Sequence, residues 1–112
     1  IQELFDFHFQ FKKPKISIKE QLITSKLINH KDKKYSSLSS GITNKVKLSL
    51  AIFTGSPVLL LDEPCTNFDH ENNKWYTQMI DKYCNNQLII VASNNSYEYS
   101  FCNEQINIQH FK

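Results

Sequence analysis

The 112-residue sequence predicts an α/β fold with a parallel sheet, and three observations carry that expectation. Val58 to Leu61 and Ile89 to Ala92 are short apolar runs set between breakers and polar residues. Between them Trp75, Tyr76, Met79, Ile80, Tyr83 and Cys84 recur in steps of three and four, the stripe of a helix with one buried face. Strand, helix, strand in this order over residues 58 to 92 is a βαβ unit, which implies parallel strands and a right-handed crossover.

At the start of the chain Phe5, Phe7, Phe9 and Phe11 alternate with Asp6, His8 and Gln10. That period of two locally reads as a half-buried strand, ended by Lys12-Lys13-Pro14. Ser17-Ile18-Lys19-Glu20 fits a capping box, and Leu22, Ile23, Leu27 and Ile28 extend a helix to an expected end near Asn29. His30 to Lys34 reads as a charged, solvated loop. Tyr35 to Gly41 is serine-rich and reads as a loop entering a helix. Ile42, Val46, Leu50 and Phe53 give that helix one buried face, and Gly55 and Pro57 stop it. Val58 to Leu61 is continuously apolar, which reads as a strand buried on both faces. Asp62-Glu63-Pro64 ends it, Asp69 caps the next helix, and Asn85-Asn86 closes that helix. Gln87 to Ala92 reads as a second buried strand, Ser93 to Tyr97 as a polar turn, and Gln105 to Ile108 as a short final strand.

Composition excludes several functions. The only glycines, Gly41 and Gly55, lie fourteen positions apart. Neither a G-x-x-x-x-G-K-[ST] phosphate loop nor a G-x-G-x-x-G dinucleotide turn can be built from them. Thirteen basic and eleven acidic residues leave a net charge of +2, too balanced to argue for nucleic acid. Cys65, Cys84 and Cys102 contain no C-x-x-C pair and read as reduced thiols of a cytosolic protein. His8, His30, His70 and His110 show no metal spacing. No apolar run approaches the ~20 residues of a membrane span. The chain opens on Ile1 and its only methionine is Met79, so it reads as a trimmed piece or the tail of a longer protein.

Two features could carry chemistry. Asp62 and Glu63 end a buried strand, which sets two carboxylates at the carboxyl edge of a parallel sheet, where open α/β folds bind ligands. One acid there can help hold Mg²⁺ and the next can orient or deprotonate a water. Taken alone, the pair reads better as the start of a solvated turn. Leu38-Ser39-Ser40-Gly41 opens a helix whose N–H groups and dipole favour an anion. Alone, it reads better as an ordinary serine cap.

Together these segments resemble the ATP-binding-cassette (ABC) ATPase family. Its L-S-G-G-Q signature is followed by a helix, four apolar residues and D-E-P, the Walker B motif. Here these are Leu38-Ser39-Ser40-Gly41 and Val58-Leu59-Leu60-Leu61-Asp62-Glu63-Pro64. Thr66-Asn67-Phe68-Asp69 resembles the D-loop, and Leu88 to Asn94 resembles the strand leading to the switch histidine. The match covers residues 35 to 95. It implies a partial P-loop NTPase-like parallel sheet, the C-terminal half of a nucleotide-binding domain, spanning residues 1–112. Residues 1–55 would be the helical subdomain and signature helix. Residues 56–112 would hold the Walker B strand, D-loop, H-loop strand and C-terminal part. The phosphate loop would lie upstream, so the segment alone is expected to be inactive. The resemblance also implies a helix over Phe5 to Phe11, supported by Glu3 in a segment similar to T-V-x-E. Exposed phenylalanines there would contact a transmembrane partner, or else pack on residues 18 to 28.

By the same resemblance, Ser39, Ser40 and Gly41 would contact ATP held by an opposite subunit. Asp62 would hold Mg²⁺ through water, and Glu63 would be the general base. Asn94 would stand at the catalytic switch, and Asp69 at the dimer interface. Ser40 and Ile42 depart from the signature, and Asn94 replaces histidine. Asparagine can donate to a phosphate oxygen but cannot become a cation. The implied partners are ATP, a second nucleotide-binding domain and a transmembrane permease at the cytoplasmic face of the membrane, without nucleic acid. The rival readings are a soluble ABC ATPase of the ribosome-associated type and a catalytically degenerate interaction fragment.

Overall fold

The computed structural model describes residues 1–111. Among these, helices and a two-stranded parallel sheet form an α/β arrangement. The amino-terminal helix α1, Gln2–His8, stands where local alternation favours a strand. Alternation at every second residue also places Phe5 with Phe9 and Phe7 with Phe11, both one helical turn apart. Phe5 is buried and its ring lies 6.4 Å from that of Phe9. Phe7 and Phe11 meet edge to face on the exposed side at 5.6 Å.

Helix α2, Ile18–Thr24, is capped by Ser17, whose Oγ accepts the Glu20 N–H at 3.2 Å. It ends five residues before the expected Asn29. The Leu27 N–H bonds to the Leu22 carbonyl and the Lys26 N–H to the Ile23 carbonyl, a Schellman stop. Lys26 occupies the left-handed position of that motif with φ 58°, a place that usually takes glycine. Nothing at Lys26 signals a helix end in the sequence. A 3₁₀ turn, Ile28–His30, follows.

Helix α3, Ser40–Phe53, is expected to bury one face but buries two. Val46 joins Ile1, Phe5, Leu22 and Leu27 in one cluster. Leu48, Ile52 and Phe53 join the sheet-side cluster of Leu59, Leu61, Trp75, Tyr76, Met79 and Ile80. Ser49 lies between them, fully buried, and its hydroxyl donates to Ser25 Oγ at 2.8 Å. One helix therefore serves as a wall common to both cores.

Strand β1, Val58–Asp62, pairs in parallel with β2, Leu88–Ala92, with Val58 opposite Leu88 and Asp62 opposite Ala92. Helix α4, His70–Tyr83, makes the crossover and packs its Trp75 stripe on the inner sheet face. The expectation of strands buried on both faces is corrected here. Leu59 and Leu61 point inward, while Leu60 is 70% exposed and Ile90 52%. The apolar run supplies material for two covered faces, but only one is covered among the described residues.

Partly buried hydrogen bonds tie the amino-terminal segment to this unit. Lys15 Nζ donates to the Tyr83 carbonyl at 2.7 Å and to Gln87 Oε1 at 2.6 Å, setting a cation at the carboxyl end of α4. The Trp75 indole N–H donates to the Thr24 carbonyl at 3.1 Å. After β2 comes one helical turn, α5, Ser96–Tyr99. The strand expected at Gln105 to Ile108 is absent. Residues 104–107 have no regular structure and a 3₁₀ turn, Ile108–Phe111, follows. Ile106 is 75% exposed, so the apolar residues there have no sheet to join. No helix among the described residues is long and apolar enough to cross a membrane.

Candidate functional site

Parallel pairing brings the ends of β1 and β2 to one rim. Asp62 is the last residue of β1, exposed, and in register with Ala92. Glu63 follows at φ 44°, in the left-handed region that costs a non-glycine residue roughly 1–2 kcal/mol. Its backbone is held from both sides. The Glu63 N–H donates to the Ala92 carbonyl at 2.8 Å. The Glu63 carbonyl accepts from the Thr66 N–H and, at 2.7 Å, from the Thr66 hydroxyl. Strain of this kind persists where surrounding contacts over-determine it, and it concentrates at functional sites. Asn94, two residues beyond β2, is exposed on the same rim.

Ser39 caps α3, with its Oγ accepting the Ile42 N–H at 3.3 Å. Ser39 and Ser40 are exposed, whereas Gly41 is half-buried against the following turn. A Cβ on Gly41 would lie 3.0 Å from the Asn67 carbonyl oxygen, so the close approach of these two loops favours glycine. Asn67 itself has φ 65°. Asn44 fastens the loops from below, its amide donating to the Pro64 and Thr66 carbonyls, both at 2.9 Å. Ser40, Lys47, Thr66 and Asn67 border a shallow open cleft of about 310 Å³. Asp69 is exposed and caps α4, accepting the Asn72 N–H at 2.8 Å. The chain thus joins the Ser39–Gly41 turn to the 64–67 turn, and brings the acid pair and Asn94 to the same end of β1 and β2. A larger cleft, about 420 Å³, lies at the opposite end of β1 between Lys12, Lys13 and Pro57. It contains none of these residues.

No family model matches the chain. Known proteins do match it, and three of them are representative. The glucosylceramide transporter ABCA12 of Homo sapiens is 28% identical over 99 residues, 88% of this chain. A probable metal transport system ATP-binding protein of Chlamydia trachomatis is 38% identical over 68 residues, 58% of this chain. Elongation factor 3 of Mycosarcoma maydis is 33% identical over 75 residues, 67% of this chain.

The chain belongs to the ABC family.

The matched stretch spans 4% of the human ABC transporter, 29% of the chlamydial protein and 7% of the elongation factor. The Ser39–Gly41 turn and the 64–67 turn touch within a single chain through Gly41 and Asn44. Sequence reasoning passed over Asn44, although its position one turn after Gly41 on α3 signals a shared face. It also passed over Glu98. The segment reads as polar, yet Glu98 sits among Tyr97, Tyr99 and Phe101, and that aromatic company was the available signal of burial.

The donor set at the rim bears on a metal. No group of three or more His, Cys, Asp or Glu side chains converges among the described residues. A caged transition-metal site is therefore not built here. One exposed carboxylate at a strand end does suit Mg²⁺, which usually takes one or two carboxylates and fills its shell with water and phosphate oxygens.

Beneath the rim, burial pushes the Cys65 thiol up from 9.0 to about 12, and the Glu98 carboxylate adds to the shift. Burial also pushes up the Tyr76 hydroxyl. A folded-state value above the unfolded one means stability is fully present below pH 9.0 and lost as pH rises towards about 12. Thermal melts between pH 8 and pH 11 should therefore show a falling midpoint. The decline should be shallower in Cys65→Ala, and equal slopes in the two proteins would contradict it.

Proposed function

We propose that this segment is the C-terminal half of an ATP-hydrolysing nucleotide-binding domain of an ABC transporter. The observation that carries the proposal is the rim. A strained acid turn, Asp62-Glu63, and the residues that follow β2 lie at the carboxyl edge of a parallel pair, where α/β folds bind nucleotides. Mg²⁺, when bound with ATP, supplies charge neutralisation for the phosphates. Asp62 would hold it through water. Glu63 would orient the attacking water and accept its proton. Asn94 would donate a hydrogen bond to a phosphate oxygen, without the positive charge a histidine could bring. Ser39, Ser40 and Gly41 would receive the triphosphate of a second domain through serine hydroxyls and the free N–H groups at the mouth of α3. Asp69 would lie at the junction of the two domains. A permease would couple this cycle to transport at the cytoplasmic face of a membrane. The names of the human and chlamydial relatives favour transport. Elongation factor 3, also a relative, keeps a non-transport ATPase as the second reading.

The test is ATP turnover by the full-length protein. Hydrolysis should require Mg²⁺ and fall about 100-fold or more in Asp62→Asn, since metal and phosphate positioning supply most of phosphoryl-transfer catalysis. A full-length protein that neither binds nor hydrolyses ATP would overturn the proposal.

A further inference from the structure

Glu98 is the least expected side chain in the fold. It is 1% exposed, on a four-residue helix, with no cation on its carboxylate among the described residues. Burying a carboxylate is costly unless hydrogen bonds compensate it. Among the described residues each of its oxygens has one partner. Oε2 accepts the Cys65 N–H at 2.6 Å, and Oε1 accepts the Ser93 hydroxyl. The Glu98 carbonyl accepts the Tyr76 hydroxyl at 2.6 Å, which fixes α5 to α4.

The positions of those partners matter. Cys65 is two residues after Glu63, and Ser93 immediately precedes Asn94. Between β1 and β2 the last main-chain bond is that from the Glu63 N–H to the Ala92 carbonyl. Beyond that point the two chains leave the sheet, and Glu98 spans the divergence with a single carboxylate. Removing it would leave the buried Cys65 N–H without an acceptor, and the strained turn would lose one of its outer supports.

We propose that Glu98 is a positioning residue: by gripping Cys65 and Ser93 together, it fixes the distance between Glu63 and Asn94 so that both face one phosphate. The functional half of this rests on the ATPase reading of the rim. The grip itself does not.

The experiment uses the full-length protein and two readouts, steady-state ATP turnover and amide hydrogen exchange over residues 62–67. Glu98→Ala should lower kcat about 10- to 100-fold, the size expected when a reacting group is misplaced by roughly 1 Å. KM for ATP should stay within about two-fold, because no group that binds the ground state is removed. Exchange over residues 62–67 should quicken. Glu98→Gln keeps an acceptor for the Cys65 N–H and should restore slow exchange and most of kcat. Should Glu98→Ala fail to fold, Ser93→Ala removes one arm and should lower kcat by a smaller factor at constant KM. Unchanged exchange in Glu98→Ala overturns the grip. Faster exchange with unchanged kcat overturns the positioning role, as does unchanged kcat in Ser93→Ala. If the wild-type protein hydrolyses no ATP, the ATPase reading fails and the exchange readout still decides the grip.

Discussion

Glu63→Gln in the full-length protein is expected to lower ATP turnover about 100- to 10,000-fold, the usual worth of a positioned general base. ATP binding should survive. Glutamine keeps the size of the side chain and can still hold a water through its amide, but it cannot take the proton. The left-handed backbone at position 63 accepts glutamine as readily as glutamate, and the bonds to Ala92 and Thr66 are main-chain at Glu63. The fold should therefore be undisturbed. With hydrolysis blocked, a closed ATP-bound dimer should accumulate, visible by size-exclusion chromatography or light scattering. A variant that turns over at the wild-type rate would remove Glu63 from the chemistry. One that binds ATP but never dimerises would favour the degenerate interaction fragment.

The second large effect is on stability. Phe5→Ala should cost about 3–5 kcal/mol, the range for deleting a fully buried aromatic ring. Phe5 is 0% exposed and packs among Ile1, Leu22, Leu27 and Val46. Against a typical stability of roughly 5–15 kcal/mol, that loss should strip α1 from α2 and α3 before the sheet side melts. Phe7→Ala is the matched control, since Phe7 is 62% exposed and such changes stay within about 0.5 kcal/mol. Denaturant unfolding followed by circular dichroism compares the two. Equal losses from both would mean that the amino-terminal phenylalanines share one environment, contrary to the burial pattern.

Much of this was legible in the sequence. The βαβ order followed from two apolar runs and the Trp75 stripe, because helical and strand periods differ enough to be told apart over fourteen residues. The rim followed from the order alone, since a run ending in two acids must deliver them to the carboxyl edge. Other features were hidden for identifiable reasons. Alternating phenylalanines satisfy a period of two and a step of four at once, so α1 was undecidable locally and only the resemblance favoured a helix. Lys26 ends α2 in a conformation that sequence patterns reserve for glycine. The second buried face of α3 depends on which elements flank it, and Ser49 gives no sign of lying in a core. Glu98 reads as a surface acid because burial of a carboxylate depends on partners distant in sequence, Cys65 being 33 positions away. The roles of Ser39, Ser40, Gly41, Asp62, Asp69 and Asn94 rest on the resemblance, and the tests above address the rim they surround.

The outer side of the sheet bears on how such a protein must be made. Val58 and Leu60 stand in register with Leu88 and Ile90, forming two greasy rungs on a ribbon in which, among the described residues, each strand is also an edge. A growing polypeptide that emerged in this state would offer both unpaired amide rows and a water-averse flank to its neighbours, the combination that seeds intermolecular β-pairing. Safe biogenesis therefore depends on a cover reaching those rungs faster than another nascent chain does.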